Sequence, residues 1–354
     1  MIDANLNRSS EGLRVLEDVA RFLLNDAELS QQLRTLRHDL ARKAKSLTAT
    51  LFSHRDSKHD VGRLHSEDKK LTMEGASLRS FLDLVTANAK RVEESLRVIE
   101  ELAKLPEMNS ILKSADFEQT RFALYTLERD LISKISRRDK VERMAGLYVI
   151  LDQQFLAGSD VSEIARQIIE GGAKVIQLRD KQSKKGELLV VAQKIKELCS
   201  QAGVLFMMND YLDLALAVDA DGLHIGQEDL PLLVVRRELP IDKIIGCSVT
   251  TMAQATKAQN EGADYIAVGS MFPTTTKEGA TVVGVDMLKE LKRAISAPLV
   301  AIGGINQGNI EEVVGAGADA LAVISAVLGE KDVKRAVQEL VAKIDLVKGE
   351  CQNQ

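Results

Sequence analysis

Eight short apolar runs rich in β-branched residues, each followed by an amphipathic stretch, fill the chain from Met144 onward. They are GLYVILD from 146, KVIQLRD from 174, VLFMMND from 204, GLHIGQED from 222, IIGCSVT from 244, YIAVGS from 265, LVAIGG from 299 and ALAVIS from 320. Such alternation is typical of βα units. Eight units in roughly 200 residues match the (β/α)8 TIM barrel, so we predict this α/β fold for residues 144–350. An open doubly wound sheet is the alternative.

Residues 1–140 have a different texture. Apolar residues recur at helical spacing, as in Leu13, Leu16 and Ala20, and Pro106 is the single proline. We predict an all-α domain that precedes the barrel. The segment ANLNRSSEGLRVLEDVA at 4–20 realigns with ANAKRVEESLRVIEELA at 87–103, which predicts an internal duplication. Its identical polar pairs are Asn5 and Asn88, Arg8 and Arg91, Glu11 and Glu94, Arg14 and Arg97, and Glu17 and Glu100. They form either a solvated salt-bridge face or a shared ligand site.

The overall composition argues against several classes of partner. With 47 basic and 52 acidic residues and 3% aromatic residues, the chain lacks the basic surface expected of a nucleic-acid-binding protein. Cys199, Cys247 and Cys351 are scattered, as is usual in a reducing compartment. Neither a secretion signal nor an apolar run of ~20 residues is visible. We expect a cytoplasmic protein with small-molecule substrates and no membrane anchor, and a homo-oligomer is compatible with this.

Polar side chains recur where the predicted strands end. They are Gln177, Arg179 and Lys181 after the second strand, Asn209 and Asp210 after the third, Asp229 after the fourth, Ser248 in the fifth, and Thr274, Thr276 and Lys277 after the sixth. Active sites of TIM barrels lie at the carboxyl ends of the strands. For any one of these residues, a solvated loop or a helix cap is the simpler explanation. Their recurrence favours a shared site.

Asp210 and Asp229 follow adjacent strands and are therefore expected to reach one point above the barrel. Mg²⁺ prefers oxygen ligands and commonly links one or two carboxylates to substrate phosphates. Arg179, Lys181 and Lys277 would add positive charge, so these residues together predict a diphosphate site. Histidines 54, 59 and 65 have no well-defined ligand spacing, and we interpret residues 51–70 as a polar loop, with anion or substrate binding as the second hypothesis.

A second anion site is predicted at the seventh and eighth strands. Gly303, Gly304, Ile324 and Ser325 occupy the positions where such barrels bind a phosphate through backbone N–H groups. Two anion sites, one with a metal, indicate a transfer in which one substrate loses diphosphate and a phosphorylated second substrate is the nucleophile. His224, within the fourth strand, either fills the core or orients a group of the site, and we favour the core.

Seven motifs, in order across residues 177–325, closely resemble those of the thiamine-phosphate synthase family. They are QLRDK, ND, GLHIGQED, GCS, PTTTK, GGI and VIS. The helical half resembles the N-terminal extension of the two-domain form of this enzyme in cyanobacteria and some other bacteria, where ANL.R..EGLRV.E and RD...D.G recur. That extension has been associated with an alternative hydroxymethylpyrimidine phosphate kinase family.

The resemblance implies a specific reaction. Hydroxymethylpyrimidine diphosphate is joined to a thiazole phosphate, or to the carboxylated form of that thiazole, and thiamine phosphate and diphosphate are released. The implied mechanism is dissociative: diphosphate departs first, and the thiazole nitrogen captures the resulting pyrimidine methyl cation. The implied cofactor is Mg²⁺, held by Asp210 and Asp229.

The resemblance also implies roles for individual residues. The pyrimidine diphosphate is contacted by Gln177, Leu178, Arg179, Asp180, Lys181, Asn209, Ser248 and Lys277. Of these, Arg179, Lys181, Ser248 and Lys277 are the catalytic candidates. The thiazole phosphate is contacted by Thr274, Thr275, Thr276, Gly304, Ile324 and Ser325.

Other functions remain open at the level of sequence. A thiazole tautomerase with the same barrel would need no diphosphate site, and a regulator would bind thiamine intermediates without turnover. For the helical half, a kinase, a lid or channel feeding the barrel, and an interaction module are the alternatives. It has no GxxxxGK[ST] phosphate loop, so a kinase would need another nucleotide site. Our hypothesis is a pyrimidine-phosphate site formed by the polar ladders with Arg55, Asp56, Asp60 and Gly62.

Overall fold

The computed structural model describes residues 1–43, 80–156, 158–274, 279 and 281–352. Predictions that concern residues 51–70, Thr275, Thr276 and Lys277 therefore lie outside the described residues. The chain divides into two compact units, Met1–Ser136 and Arg137–Gln354. In the parts of the chain that are described, no helix is long and apolar enough to span a membrane.

The first unit is helical. Its helices are α1 (Ile2–Asp18), which continues into a π-helical turn (Val19–Leu23), α2 (Ala27–Lys43), α3 (Phe81–Leu102), α4 (Pro106–Asn109) and most of α5 (Ser114–Arg143). The last turns of α5 belong to the second unit. The Ser80 side chain caps α3 by accepting a hydrogen bond from the Asp83 N–H at 3.2 Å. The predicted helical spacing is confirmed, because Leu13, Leu16 and Ala20 lie in a core shared with α2, α3 and α5.

The second unit contains all eight predicted strands. They are β1 (Gly146–Asp152), β2 (Val175–Arg179), β3 (Leu205–Asn209), β4 (Gly222–Ile225), β5 (Ile244–Val249), β6 (Tyr265–Val268), β7 (Leu299–Ile302) and β8 (Ala320–Val323). Each strand pairs in parallel with the next, and β1 also pairs with β8. This closure confirms the TIM barrel and shows that the doubly wound alternative is wrong.

Helices follow the strands along the chain. They are α6 (Val161–Gly171), α7 (Lys185–Ala202), α8 (Leu212–Ala217), α9 (Leu232–Glu238), α10 (Met252–Asn260), α11 (Gly284–Ala294), α12 (Ile310–Gly315), α13 (Ser325–Leu328) and α14 (Val333–Gln352). Gly172 ends α6 in the left-handed conformation at φ +101°, which glycine adopts without steric cost. The chain can therefore turn directly into β2.

Strand side chains alternate between two cores. Val149, Ile176 and Met208 face the helices, whereas Tyr148, Val175 and Met207 fill the barrel interior. Because successive side chains alternate between these two sides, every second residue of a strand faces the interior, and polar residues at such positions on neighbouring strands lie at similar heights. Gln177, Asn209 and His224 consequently face the interior near its carboxyl end.

Candidate active site

Asp210 stands just beyond β3 in a strained backbone conformation. Its φ of +59° is unusual for a residue with a side chain, and such strain is found most often at functional sites. The backbone is held there by a hydrogen bond from the Asp210 N–H to the His224 carbonyl oxygen at 2.9 Å. The Asp210 carboxyl is thereby fixed above the barrel mouth.

The carboxyl groups of Asp210 and Asp229 face each other. Burial, a hydrogen bond with Asp229 and the negative charge of Asp229 raise the pKa of Asp210 above its usual range. The Lys181 ammonium lies 3.2 Å from Asp210 Oδ2, and Asp229 Oδ2 accepts a hydrogen bond from the Gly226 N–H at 2.7 Å. The structure therefore brings together three of the predicted site residues, and Lys181 contacts the Asp210 carboxylate.

This pair fits a divalent cation. Two facing carboxylates repel each other unless a cation or a proton lies between them, and their oxygens are the ligands that Mg²⁺ accepts. Among the described residues, no three or more His, Cys, Asp or Glu side chains form a metal cluster. Two carboxylates suit Mg²⁺, which commonly takes its other ligands from water and substrate phosphates.

Arg179 points to a partner that sequence reasoning missed. Its guanidinium forms an ion pair with Asp152, the last residue of β1, whose side chain is 1% exposed. The register of β1 and β2 pairs these two residues directly. Asp152 ends GLYVILD as Asp180 ends KVIQLRD, so the rule applied to the other strands would have found it. It holds Arg179 at the barrel mouth.

Two members of the predicted substrate-binding stretch are engaged elsewhere. The Leu178 side chain is fully buried in the core that faces the helices, which leaves only its backbone for a substrate. Asp180 is buried and accepts hydrogen bonds from the backbone N–H groups of Gln182 and Ser183 at 2.8 and 3.0 Å. Burial raises the pKa of Asp180, but these hydrogen bonds lower it to a net value below its usual range. Asp180 shapes the loop that follows β2.

The loops after β6 and β7 pack against each other. The Phe272 N–H donates to the Gly303 carbonyl oxygen at 3.0 Å, and a Cβ on Gly304 would lie 2.7 Å from the Pro273 carbonyl oxygen. Gly303 and Gly304 have φ values of +99° and +67°. Only glycine allows this close approach, which brings Gly304 beside the segment that leads into Thr274.

The last two predicted phosphate residues follow β8. Ile324 packs against the barrel-interior core, and Ser325 begins α13. Both come directly after the eighth strand, at the start of α13, where barrels of this type often hold a phosphate.

His224 is bonded on both ring nitrogens. Its Nε2 lies 2.8 Å from Ser248 Oγ, and its Nδ1 lies 2.9 Å from the Tyr265 hydroxyl. Burial lowers the pKa of His224 to about 4, although the charge of Asp229 acts in the opposite direction. His224 is therefore neutral at physiological pH. The prediction that it only fills the core is incomplete, because it contacts Ser248.

Two tyrosines extend this contact across the barrel. Tyr265 Oη lies 3.0 Å from Tyr148 Oη, Tyr148 donates to Gln177 Oε1 at 2.5 Å, and Gln177 Nε2 donates to Asn209 Oδ1 at 2.7 Å. Burial raises the pKa of both phenols, so neither ionises at neutral pH. Sequence reasoning missed the tyrosines because they lie early in their strands, where an aromatic residue usually belongs to the core.

A separate polar cavity lies within the helical unit. Its volume is about 600 Å³, and its lining residues are Asn5, Arg8, Glu11, Arg91, Glu94, Ser95 and Val98. Arg8 and Glu11 come from α1, and their counterparts in the sequence repeat, Arg91 and Glu94, come from α3. Two copies of one charged pair therefore line one cavity.

Comparisons with known proteins decide between the families that fit this geometry. A family model described as "Thiamine monophosphate synthase" matches residues 147–327, and the "ThiD2 family" model matches residues 1–130. The chain is 36% identical over 352 residues to a thiamine-phosphate synthase of Nostoc punctiforme, which covers 99% of this chain and 95% of that protein. The chain belongs to the thiamine-phosphate synthase family. It is thus a member of a family of enzymes of thiamine biosynthesis.

Other thiamine-phosphate synthases match either nearly the full chain or the barrel-sized part of it. The protein from Thermosynechococcus vestitus is 37% identical over 97% of this chain and 94% of its own length. A solved structure of thiamine phosphate pyrophosphorylase from Pyrococcus furiosus is 39% identical, with a TM-score of 0.55, and covers 58% of this chain and 98% of that chain. The resemblance stated from the motifs is confirmed.

Proposed function

We propose that residues 144–350 join hydroxymethylpyrimidine diphosphate to a thiazole phosphate, with the carboxylated thiazole as an alternative acceptor, to give thiamine phosphate and diphosphate. The observation that carries this proposal is the Asp210–Asp229 pair beside Lys181, at the same barrel mouth as Arg179. Paired carboxylates with adjacent cations are suited to a metal-bound diphosphate. A thiazole tautomerase would need no such site.

The proposed reaction is a substitution at the pyrimidine methylene carbon. Its bond to the diphosphate oxygen breaks, the electron pair leaves with diphosphate, and the thiazole nitrogen lone pair then forms the new C–N bond. No strong base is required, so catalysis consists of positioning and of neutralising charge on the departing group. Bound Mg²⁺, held by Asp210 and Asp229, would supply positive charge to the diphosphate.

The other residues of the proposed site bind and orient the two substrates. Arg179, Lys181 and Lys277 bind the departing diphosphate, whereas Gln177, Asn209 and Ser248 orient the pyrimidine. The thiazole phosphate is placed between Gly304 and the segment that begins at Thr274, with Thr275, Thr276, Ile324 and Ser325 as further contacts. The close packing of Gly304 on Pro273 supports this placement.

A sensor that binds without turnover is the non-enzymatic alternative. We expect Asp210→Ala and Lys277→Ala each to reduce the rate of thiamine phosphate formation by about 10²-fold or more, because each removes a preorganised electrostatic partner. Both rates would be measured with folded protein, as judged by circular dichroism. Near-normal rates in either variant would contradict the proposed site, and binding of both substrates without product would favour the sensor.

For the helical unit, residues 1–140, we propose phosphorylation of hydroxymethylpyrimidine phosphate, which would supply the diphosphate substrate. The cavity lined by Arg8, Glu11, Arg91 and Glu94 supports this function. Two guanidinium groups can bind a phosphate in bidentate fashion. In the balanced reaction, a substrate phosphate oxygen attacks the γ-phosphorus of ATP, and ADP leaves.

The predicted internal duplication is also part of this proposal. The Asn5 and Asn88 side-chain amides both donate to the carbonyl oxygen four residues earlier, at 3.0 and 2.8 Å. Glu17 and Glu100 are both buried and both paired with basic side chains. Equivalent positions thus make equivalent contacts, which supports a duplicated origin for α1 and α3.

The kinase proposal is tested with the full-length chain, pyrimidine monophosphate, ATP and Mg²⁺, with ADP and pyrimidine diphosphate as the measured products. We expect Arg8→Gln to reduce this reaction and to leave synthesis from pyrimidine diphosphate unchanged. Lys90→Gln is the matched control, because Lys90 is exposed on α3 and does not line the cavity. Equal rates for Arg8→Gln and Lys90→Gln would exclude the cavity as the kinase site.

A further inference from the structure

A continuous hydrogen-bond network of side chains crosses the barrel interior. Its members, in order, are Ser248, His224, Tyr265, Tyr148, Gln177 and Asn209. They come from β5, β4, β6, β1, β2 and β3. The two ends, Ser248 and Asn209, are both assigned to the pyrimidine, so this inference rests on the proposed function. Among the middle members, Gln177 is also assigned to the pyrimidine, whereas His224, Tyr265 and Tyr148 have no assigned role in it.

The donor and the acceptor of each hydrogen bond in the network follow from the chemistry of its members. Gln177 donates its amide N–H to Asn209 and accepts at Oε1, and Tyr148 must therefore be the donor to Gln177. With its single hydroxyl proton used, Tyr148 can only accept from Tyr265. Tyr265 in turn has its proton committed and must accept from His224 Nδ1.

This sequence fixes the tautomer of His224. The ring is buried and contacts two hydroxyl groups, with no carboxylate among its hydrogen-bond partners in the described residues. A buried imidazolium without a counter-ion is costly, so the ring is neutral and carries its proton on Nδ1. Nε2 is then an acceptor, and Ser248 must donate its hydroxyl proton to it.

The two ends are left with opposite character. Ser248 Oγ has spent its proton and offers only lone pairs to a ligand, whereas Asn209 has its Oδ1 occupied and offers its amide N–H groups. We propose that this hydrogen-bond network fixes which groups of the pyrimidine pocket donate and which accept, with His224, Tyr265 and Tyr148 as positioning residues. An aminopyrimidine matches this polarity, since its amino group donates and its ring nitrogen accepts. An oxo-pyrimidine, which has a carbonyl oxygen in place of the amino group, does not.

Gly246 leaves the space that the hydrogen-bond network needs to cross the barrel. A Cβ at this position would lie 1.9 Å from Cζ of Tyr265, so the phenol ring occupies the space that any other residue would fill. The His224 ring stacks on Tyr265 at a centroid distance of 5.6 Å. Packing therefore holds both rings in place without a ligand, and the polarity is preorganised.

The first test reads the polarity directly and does not depend on activity. Full-length protein with ¹⁵N-labelled histidine is examined by NMR, and the His224 signals are assigned by their loss in His224→Gln. We expect a neutral ring with the proton on Nδ1 and a pyridine-type Nε2. A proton on Nε2, whether in the other tautomer or in a charged ring, would overturn the proposal even if the synthase reaction proceeds normally.

The second test measures whether the polarity controls specificity. Tyr265→Phe removes one hydroxyl from the middle of the hydrogen-bond network and keeps the ring. We expect kcat/KM for aminopyrimidine diphosphate to fall by about tenfold or more, with a much smaller change for the oxo-pyrimidine analogue. Tyr125→Phe, in the helical unit, is the matched control and is expected to be unchanged. Equal losses for the two substrates would overturn the proposal.

A double-mutant cycle separates positioning from a structural effect. If Tyr265 acts through Ser248, the Tyr265→Phe loss should shrink to within about twofold in a Ser248→Ala background. A merely structural role would give the same loss in both backgrounds. If Tyr265→Phe does not fold, Tyr148→Phe provides a second cycle with Asn209→Ala, because it interrupts the hydrogen-bond network nearer Asn209. A wild-type protein without synthase activity would refute the proposed function, and the NMR result would still decide the polarity.

Discussion

Asp210 illustrates how single residues in this barrel are held in unfavourable states that a ligand would relieve. Its backbone is left-handed, its carboxyl is partly buried, and Asp229 faces it. Each feature costs free energy in the isolated protein. A bound cation would offset the repulsion, as the proposed magnesium and diphosphate site requires.

Asp210→Asn should separate metal binding from folding. The amide keeps the size of the side chain and removes one of the two facing charges, so we expect weaker Mg²⁺ binding and a rate lower by about 10²-fold or more, with stability unchanged or raised. Titration calorimetry with Mg²⁺ and steady-state kinetics measure the two effects. Asp213→Asn, which alters an exposed pair with Lys185, is the control. Normal Mg²⁺ affinity in Asp210→Asn would contradict the assigned ligand.

Glu93 in the helical unit is a second strained carboxyl. Burial, a hydrogen bond with Glu128 and the charge of Glu128 raise its pKa to about 7 from an ordinary value of 4.5. A raised folded-state pKa means that the protonated form stabilises the fold below pH 4.5, and that this stabilisation is lost as the pH rises through about 7. Two facing carboxylates thus destabilise the unit in alkaline solution.

Glu93→Gln should remove this loss. We expect its melting temperature to exceed that of the wild type above pH 7, with the difference shrinking towards pH 4.5. Thermal unfolding followed by circular dichroism at several pH values measures this. The control Glu118→Gln, at an exposed position of α5, should show no pH-dependent difference. A constant offset for Glu93→Gln at every pH would mean that the pair does not share a proton.

At the scale of elements, strands were predictable and their inner contacts were not. All eight strands follow from short, nearly continuous apolar runs rich in β-branched residues, because that pattern depends only on burial. The contacts of Tyr148 with Tyr265 connect strands that are distant in sequence, and no local pattern encodes them. Asp210 and Asp229 were predictable because each ends or follows its strand, whereas the pairing of Arg179 with Asp152 required the register.

Gly246→Ala tests how tightly the elements of the barrel pack. The new Cβ would overlap the Tyr265 ring, so we expect destabilisation by about 1–3 kcal/mol or more, with loss of the ring position. The control Gly186→Ala, at an open position in the first turn of α7, should be neutral or stabilising by about 0.4–1 kcal/mol. Chemical denaturation compares the two. Equal stability of Gly246→Ala and wild type would mean that β5 and β6 can separate freely.

The paired helices α1 and α3 allow a test of the duplication. Glu17 bonds to Arg34 and Arg37, and Glu100 bonds to Arg97 and Arg121. Each glutamate is buried and its arginine partners are partly exposed, so its loss leaves cations that water can solvate in part. We expect Glu17→Ala and Glu100→Ala each to cost about 1–3 kcal/mol.

Exposed Glu101→Ala is the matched control for this comparison and should leave the stability nearly unchanged. Urea denaturation monitored by circular dichroism gives all three values. A large cost at one position and none at the other would argue against equivalent roles.

At the scale of the whole molecule, the chain combines two units with separate cores and separate family matches. The helical core contains only residues of the first unit, and the family models match residues 1–130 and 147–327. The relatives in Nostoc punctiforme and Thermosynechococcus vestitus match over nearly the full chain, so they share this two-part organisation. Two consecutive steps on the pyrimidine in one chain would give this organisation a chemical purpose.

The most direct measurement mixes the full-length protein with hydroxymethylpyrimidine diphosphate, thiazole phosphate and Mg²⁺, and follows thiamine phosphate and diphosphate together. A parallel reaction replaces pyrimidine diphosphate with pyrimidine monophosphate and ATP. We predict equal amounts of both products in the first reaction, and thiamine phosphate in the second only while Arg8 and Arg91 are intact. Thiamine phosphate in the first reaction alone would contradict the role proposed for the helical unit, and its absence from both would contradict the synthase function of the barrel.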